Sequence, residues 1–421
     1  MRRILSIVVA CLLPVAAVAA EASKVTVPVV SPTAKPTDAN TGLSFIDTSF
    51  ENASPVWYEE AADGTVLVYL LYDHERSSPN RAAGHLHILL HATPGSKLTL
   101  ELKNLDNVWN GHAASIAPEL KTLVISQDGR EWKPVATEAL SGNRVRLTVE
   151  MPGPRLYVAR VEPYRLSDLD RWLATIRRNP LVEVMPIGKT VQGRDLEIIR
   201  IGDPSAPYRA FLRARAHPWE AGGNWVVEGL IGRLLRGDAE ASQFLRRYCT
   251  YVMPMANKDG VARGMTRFNV RGMDLNRGWD KPVEPRLAPE NAALETWLKG
   301  MIARGQRPHL ALELHNDGGG LLHISRPPVA GLDRHVKRMA VFEQLLRRYT
   351  WFTEGSTKPS FQNAGTLGDG WLERYGIDAA VQELNCNWIA GLNKAPSGQD
   401  WRAFGAGLAR VFYEYFEALK P

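Results

Sequence analysis

Cysteine is scarce in this sequence of 421 residues, and neither sign of charge is clustered. Only Cys249 and Cys386 remain once the N-terminal segment containing Cys11 is set aside, which excludes a disulfide framework and a cysteine-rich metal site. We expect both to be buried free thiols in core strands. The net charge is +6 and no basic run with interleaved aromatic residues is present, so we expect no nucleic-acid partner.

The sequence also begins without an apolar run long enough to span a bilayer. The first twenty residues combine a basic start, an apolar stretch interrupted by Pro14 and small residues at the end. This pattern predicts a signal peptide over residues 1–20 and a periplasmic or secreted protein. A membrane anchor is disfavoured because a span needs about 20 apolar residues. Lipid modification of Cys11 is disfavoured because the run before it is very short. We expect no stable membrane insertion.

The rest of the chain has ordinary globular composition. It divides into three segments that differ in their residue patterns. Residues 21–40, rich in proline, threonine and serine, predict a flexible lead-in. Residues 41–163 contain short strand-like runs between turn signals, which predict a small antiparallel β-sandwich domain. Its predicted strands cover residues 65–72, 85–92, 97–105, 120–127, 144–151 and 156–161. Residues 164–421 alternate helices and strands, which predicts an α/β domain with a mixed sheet flanked by helices.

Within the α/β domain, the sequence predicts where the helices start and where the strands lie, and a site can form around these elements. Ser167 is predicted to cap the first helix and Asn224 to open the second, which carries one apolar stripe. Functional residues in such sheets gather at the carboxyl ends of strands. The predicted strands cover residues 208–216, 248–255, 309–314 and 379–384.

A histidine and a glutamate follow the first of these strands. His217 and Glu220 lie three residues apart on a tight loop, so both can reach one ion, and their nitrogen and oxygen ligands suit zinc. Such tetrads occur often by chance, so a third ligand is required. His315, at the end of another strand, is the best candidate, although it could instead cap the turn that follows. Three protein ligands with one open position are typical of catalytic zinc, which predicts one Zn²⁺ per chain.

Several motifs closely resemble those of the zinc carboxypeptidase family. The similarity is strongest to its cytosolic-type subgroup, in which a small β-sandwich domain precedes the peptidase and the linker contains a Pro-Tyr like Pro163-Tyr164. The resemblance covers residues 41–395, and its motifs occur in the family's order. These motifs are IGKTVQGR at 187–194, HPWE at 217–220, PMANKDG at 254–260, GMTR at 264–267 and GMDLNR at 272–277.

The resemblance implies roles for individual residues. His217, Glu220 and His315 correspond to the family's metal ligands. Asn276 and Arg277 correspond to the pair that binds the free carboxylate of the substrate's last residue, which a planar guanidinium can hold with two hydrogen bonds. Without the resemblance, this stretch would be interpreted as a surface turn with a solvated arginine.

Two further residues correspond to catalytic groups. Arg267 matches the arginine that polarises the scissile carbonyl, although Arg263 and Arg271 lie close by in the sequence. Glu383, in a predicted strand, matches the glutamate that takes a proton from water activated by the metal. A lone glutamate in a strand usually faces solvent at an edge. Here an unpaired charge in an apolar run is costly, which favours a position facing a site.

The substrate pocket departs from the family pattern. No tyrosine stands where digestive-type members place one over the substrate, and Phe361 is nearest. The Gly365-Thr366 pair is followed by leucine rather than the basic residue associated with acidic side chains, so a preference for terminal glutamate is not predicted.

Three functions are compatible with these residues. The leading prediction is a zinc-dependent hydrolase that removes C-terminal residues from peptides outside the cytoplasm, acting on peptides with a free C-terminal carboxylate. The second is a zinc amidase or deacylase acting on non-peptide or cell-wall amides. The third, a binding protein on a peptidase scaffold, is disfavoured because such a protein has no need of Glu383. The sequence predicts no oligomeric state.

Overall fold

We analysed a computed structural model of the chain, which describes residues 41–361 and 365–419. The predicted signal peptide and lead-in, residues 1–40, lie outside the described residues. The strands are β1 (Leu43–Asp47), β2 (Val56–Glu60), β3 (Val66–Leu70), β4 (Asp73–His74), β5 (Arg81–Ala82), β6 (His87–Ala92), β7 (Lys97–Lys103), β8 (Asp106–Trp109), β9 (His112–Ser115), β10 (Thr122–Ser126), β11 (Lys133–Ala136), β12 (Glu138–Leu140), β13 (Arg144–Glu150), β14 (Arg155–Ala159), β15 (Val182–Lys189), β16 (Asp195–Ile201), β17 (Tyr208–Ala214), β18 (Tyr248–Met253), β19 (Leu310–Asp317), β20 (Leu322–Ile324) and β21 (Asp378–Asn385). The helices are α1 (Leu166–Ile176), α2 (Gly222–Leu234), α3 (Ala239–Arg247), α4 (Lys258–Ala262), α5 (Pro289–Ala303), α6 (Leu332–Tyr349), α7 (Leu367–Tyr375) and α8 (Gly398–Ala418).

The first fourteen strands form two five-stranded sheets and one small four-stranded sheet. The large sheets have the orders β1-β6-β14-β10-β11 and β12-β13-β7-β3-β2. They enclose one apolar core, to which β3 contributes the alternate residues Val66, Val68 and Leu70. The predicted sandwich is therefore present. The expectation that it is wholly antiparallel is wrong, because β3 and β7 pair in parallel.

The remaining strands form a seven-stranded mixed sheet of order β15-β16-β18-β17-β19-β21-β20. Its four central strands, β18, β17, β19 and β21, run parallel, and the outer pairings are antiparallel. One face packs against α2, α6 and α8, and the other against α5 and α7. Strands buried on both faces read as continuous apolar runs, as in β18. The predicted α/β class is confirmed.

Two predicted helix starts are wrong. Helix α1 is capped at Arg165, so Ser167 lies inside it. Helix α2 begins before Asn224, and the side chain of Asn316 accepts the N–H of Gly222 at its start. The amide of Asn224 instead contacts buried groups inside the fold. A partner distant in sequence thus replaces the predicted cap of α2, whereas α1 starts at a local capping box of Arg165 and Asp168.

Strand order fixes where the predicted site residues meet. Strands β17, β19 and β21 are parallel neighbours, so their carboxyl ends lie at the same edge of the sheet. Cys249 and Cys386 are both free and buried, as predicted, but only Cys249 lies in a core strand, since β21 ends at Asn385. The predicted domain boundary at residues 163 and 164 falls between β14 and α1, and the independence of the two domains stays a prediction. Among the described helices, none combines the length and apolarity needed to cross a bilayer.

Candidate metal centre

The three predicted ligands converge at the carboxyl ends of β17 and β19. The Nδ1 atom of His217 lies 2.8 Å from Glu220 Oε1, and the Nδ1 atom of His315 lies 2.6 Å from Glu220 Oε2. The two Nδ1 atoms are 3.1 Å apart. All three residues are buried. The structure therefore brings together a histidine and a glutamate from one loop with a histidine 98 residues further along the chain.

The outer nitrogens of both imidazoles face carboxylates. His217 Nε2 lies 3.1 Å from Asp274 Oδ1, and His315 Nε2 lies 3.2 Å from Glu313 Oε1. A carboxylate accepts an N–H, so the contact with Asp274 turns the lone pair of His217 Nδ1 toward Glu220, while His315 Nε2 lies near both Glu313 and the Nδ2 of Asn276. Two imidazole nitrogens and a carboxylate that meet in a buried space are suited to hold a cation. The two-nitrogen, one-carboxylate set with room for a further ligand fits zinc.

Strained backbone helps to hold the loop that carries His217 and Glu220. Arg215 has a φ of 64°, which non-glycine residues rarely adopt. Its buried guanidinium donates to the carbonyl oxygen of Pro218 at 2.7 Å and to Asn224 Oδ1 at 3.0 Å. Residues in such conformations persist where the surroundings overdetermine them. We infer that Arg215 fixes the direction in which the loop presents its two ligands.

Glu383 lies beside the ligands because its strand neighbours that of His315. The two residues are register partners in the parallel pair β19 and β21. Burial raises the pKa of Glu383 well above its ordinary value, and the charge of Asp317 raises it further. The carboxyl lines the same cavity as the ligands, so it faces a site rather than solvent at a sheet edge.

The two predicted arginines are held at the same cavity. Arg267 donates from Nε to Asp274 Oδ2 at 2.9 Å, and Arg277 donates from Nη1 to the carbonyl oxygen of Asn276 at 2.8 Å. The side-chain oxygen of Asn276 accepts the N–H of Leu367 at 3.0 Å. Its Nδ2 lies 3.0 Å from His315 Nε2. Both guanidinium groups and the Asn276 amide line the cavity.

Asp274, which the sequence analysis did not single out, connects the metal ligands to Arg267. It is buried, and its two oxygens contact His217 and Arg267 respectively. Burial raises the pKa of Asp274, but Arg267 and then His217 outweigh this effect and hold it well below the ordinary value. The residue lies in the motif GMDLNR, so its sequence neighbours Asn276 and Arg277 were the available signal.

Two further residues reach the site from the N-terminal sheets and left no signal in the sequence. Asp73 Oδ2 accepts the backbone N–H groups of Arg267 and Phe268, at 2.7 and 2.8 Å. The ring of Trp109 lies 3.9 Å from the guanidinium carbon of Arg267 and 5.2 Å from that of Arg277. Both distances are typical of cation–π contacts. The four-stranded sheet β4-β5-β8-β9 therefore forms part of the wall over the site.

The resulting cavity has a volume of about 740 Å³ and is open to solvent. It is lined by the three ligands and Glu383, and also by both arginines, Trp109 and Phe361. A cation site, a buried carboxyl and two guanidinium groups thus share one space. Such an arrangement can bind an anionic substrate, polarise a carbonyl group and transfer a proton.

Comparison with known proteins shows similarity to zinc carboxypeptidases. Residues 169–307 match the zinc carboxypeptidase family model. A segment of 142 residues is 33% identical to cytosolic carboxypeptidase 6 of Caenorhabditis elegans, and it covers 32% of this chain and 31% of that protein. The chain spans less than half the length of the curated relatives it matches.

Solved structures match over a longer range. A metallo-carboxypeptidase from Burkholderia cenocepacia superposes with a TM-score of 0.76 at 20% identity, covering 89% of this chain and 99% of that chain. A metallo-carboxypeptidase from Pseudomonas aeruginosa, in complex with (2-guanidinoethylmercapto)succinic acid, has a TM-score of 0.76 at 22% identity, covering 89% and 100%. At these identities, the likeness shows that the fold is shared.

Proposed function

We propose that the chain is a zinc-dependent hydrolase that removes C-terminal residues from peptides, since residues 169–307 match the zinc carboxypeptidase family model. The observation that carries the proposal is the meeting of three elements in one cavity. These are the ligand set His217, Glu220 and His315, the buried carboxyl of Glu383, and the guanidinium groups of Arg267 and Arg277.

Each group has a distinct part in peptide hydrolysis. A bound zinc ion supplies Lewis acidity, which polarises a carbonyl group and makes water more acidic. Glu383 accepts a proton from the attacking water on its carboxylate and delivers it to the leaving amine. Arg267, aligned by Asp274, donates hydrogen bonds to the oxygen on which negative charge develops.

Arg277 is the group that restricts the reaction to chain ends. A guanidinium pairs with a carboxylate through two parallel hydrogen bonds, so it fixes both the charge and the orientation of a terminal residue. The cavity that Arg277 lines also contains the metal ligands, so a peptide held by its C-terminal carboxylate places its last amide bond near them. An internal peptide bond offers no such carboxylate.

The proposal is tested with paired peptides that end in a free carboxylate or in an amide. We expect release of the last residue from the acid alone, observed by mass spectrometry with zinc-loaded protein. In Arg277→Lys, kcat/KM for the acid should fall about 10- to 100-fold, since one charge-assisted hydrogen bond contributes ~1.5–3 kcal/mol.

The matched control is Arg271→Lys, which changes an exposed arginine close to Arg277 in the sequence. Its activity should equal that of the wild type. Equal cleavage of the acid and amide peptides, or cleavage at internal bonds, would contradict the proposal. Selective cleavage of acyl amino acids instead of peptides would favour the amidase alternative.

We also propose that the protein acts outside the cytoplasm, as a periplasmic or secreted enzyme. The support is the signal-peptide pattern of residues 1–20, whereas matched relatives are named cytosolic carboxypeptidases. Expression of the full chain in bacterial cells, followed by fractionation and N-terminal sequencing, tests this proposal. We expect a mature protein that begins near residue 21 outside the cytoplasm. Cytoplasmic protein that retains Met1 would contradict it.

A further inference from the structure

The N-terminal sheets supply an aromatic group to the cavity, the indole of Trp109. Trp109 ends β8, and the turn to β9 is made by Asn110 and Gly111, whose φ values are 50° and 76°. Two consecutive residues in this left-handed region are typical of a tight two-residue hairpin. The register pair of Trp109 and His112 closes the hairpin. The turn therefore fixes the point from which the indole leaves the backbone.

The base of this hairpin is attached to the sandwich by side chains as well as by strand pairing. Asp106, at the start of β8, accepts the hydroxyl hydrogen of Tyr72 at 2.5 Å and forms an ion pair with Arg81. Asn107 Oδ1 accepts the N–H of Ala83 at 2.8 Å. These contacts hold β8 beside the cavity, so that the sandwich sets the position of Trp109.

The indole covers one face of Arg267, whose other groups are already held. The Nε and Nη2 atoms of Arg267 lie 2.9 and 2.8 Å from Asp274 Oδ2, and its backbone N–H is donated to Asp73. The centroid of the Trp109 ring lies 3.9 Å from the guanidinium carbon. One edge, one face and the backbone of Arg267 are therefore fixed, which leaves the Nη1 edge for a substrate oxygen.

The same ring also contacts Arg277, at 5.2 Å from its guanidinium carbon. Burial lowers the pKa of Arg277, the carboxylate of Asp274 raises it, and the charge of Arg267 lowers it again. The two cations thus repel each other. The negative face of an aromatic ring attracts cations. Unlike a further carboxylate, it carries no net charge that would compete with an anionic substrate for the two arginines.

We propose that Trp109 is a positioning residue, whose indole holds Arg267 and Arg277 in the arrangement that receives the scissile carbonyl and the terminal carboxylate. The inference rests on the proposed function. The ring is closer to Arg267, which acts on the charge that develops in the transition state, than to Arg277, which binds the substrate itself. Loss of the ring should therefore lower kcat more than it raises KM. This role gives the N-terminal sheets a part in the reaction.

Trp109→Phe and Trp109→Leu test the role as a matched pair, because both remove the indole but only phenylalanine keeps an aromatic face. Kinetics are measured with zinc-loaded protein and a peptide that ends in a free carboxylate. We expect kcat to fall roughly 3- to 30-fold in Trp109→Leu, as for loss of a desolvated cation–π contact, and clearly less in Trp109→Phe. Trp57→Leu, which changes a 63% exposed tryptophan on β2, should match the wild type.

A second measurement does not depend on turnover. The exchange of the Arg267 Nε–H with solvent is followed by NMR, with the signal assigned by its absence in Arg267→Lys. Exchange should be slow in the wild type and in Trp109→Phe, and faster in Trp109→Leu, because the guanidinium leaves Asp274 more often without the ring.

Equal kcat in Trp109→Phe and Trp109→Leu would overturn the positioning role, and so would a kcat of Trp109→Leu that equals or exceeds that of the wild type. Unchanged Nε–H exchange in Trp109→Leu would also overturn it. A wild type without peptidase activity, together with faster exchange in Trp109→Leu, would instead reject the proposed function and keep the contact that holds Arg267.

Discussion

Replacement of Glu383 by glutamine is expected to lower kcat by roughly 10²–10⁴-fold while zinc stays bound to His217, Glu220 and His315. Glutamine has nearly the same shape as glutamate but cannot accept a proton from water. Glu383 is not one of these three ligands, so its replacement leaves the metal site intact. Steady-state kinetics with a peptide substrate and elemental analysis of zinc measure the two quantities separately.

Thermal unfolding distinguishes this catalytic loss from a loss of structure. Glu383 has a buried oxygen without a partner among the described residues, and burial raises its pKa. A neutral amide removes an unfavourable charge, so the Tm of Glu383→Gln should equal or exceed that of the wild type. The matched control is Glu373→Gln, at an exposed position of α7, which should keep full activity. Undiminished turnover in Glu383→Gln would contradict the assignment of Glu383 as the catalytic base.

The metal ligands could be predicted because each lies next to a strand that the sequence reveals. The runs of β17 and β19 are mostly apolar, and residues that follow such strands share one edge of a parallel sheet. His217 and His315 are 98 residues apart in the sequence, but the direct pairing of β17 with β19 brings them together. Glu383 was predicted through the family resemblance, and its strand β21 pairs next to β19, so that Glu383 is the register partner of His315.

The walls of the cavity could not be predicted, because their contacts have no local basis. Asp73 binds the backbone of Arg267 across 194 positions of sequence. Trp109 lies on the hairpin of β8 and β9, in a segment between two predicted strands where the sequence analysis predicted no element. Similarly, β3 pairs in parallel with β7, although three strands lie between them in the sequence. Turn signals between consecutive strands carry no information about such a crossover.

Replacement of Asp274 by asparagine is expected to weaken both metal binding and catalysis. Asp274 Oδ1 lies 3.1 Å from His217 Nε2 and accepts the N–H of Asn276 at 2.8 Å, while Oδ2 pairs with Arg267. An asparagine offers one oxygen and one NH₂ group, so it must turn a donor toward either His217 or Arg267. Loss of such an outer partner typically lowers metal affinity about 10- to 100-fold.

The two effects can be separated by zinc concentration. Saturating zinc restores the ligand site but not the position of Arg267, so kcat/KM should stay reduced by up to roughly 10²-fold, the lower bound for losing a donor to the developing charge. Asp280→Asn, at an exposed position shortly after Arg277, should change neither quantity. Full recovery of Asp274→Asn in saturating zinc would mean that Asp274 acts only through His217. Unchanged zinc affinity would mean that it acts only through Arg267, and either result would show that the buried carboxylate does not couple the two halves of the site.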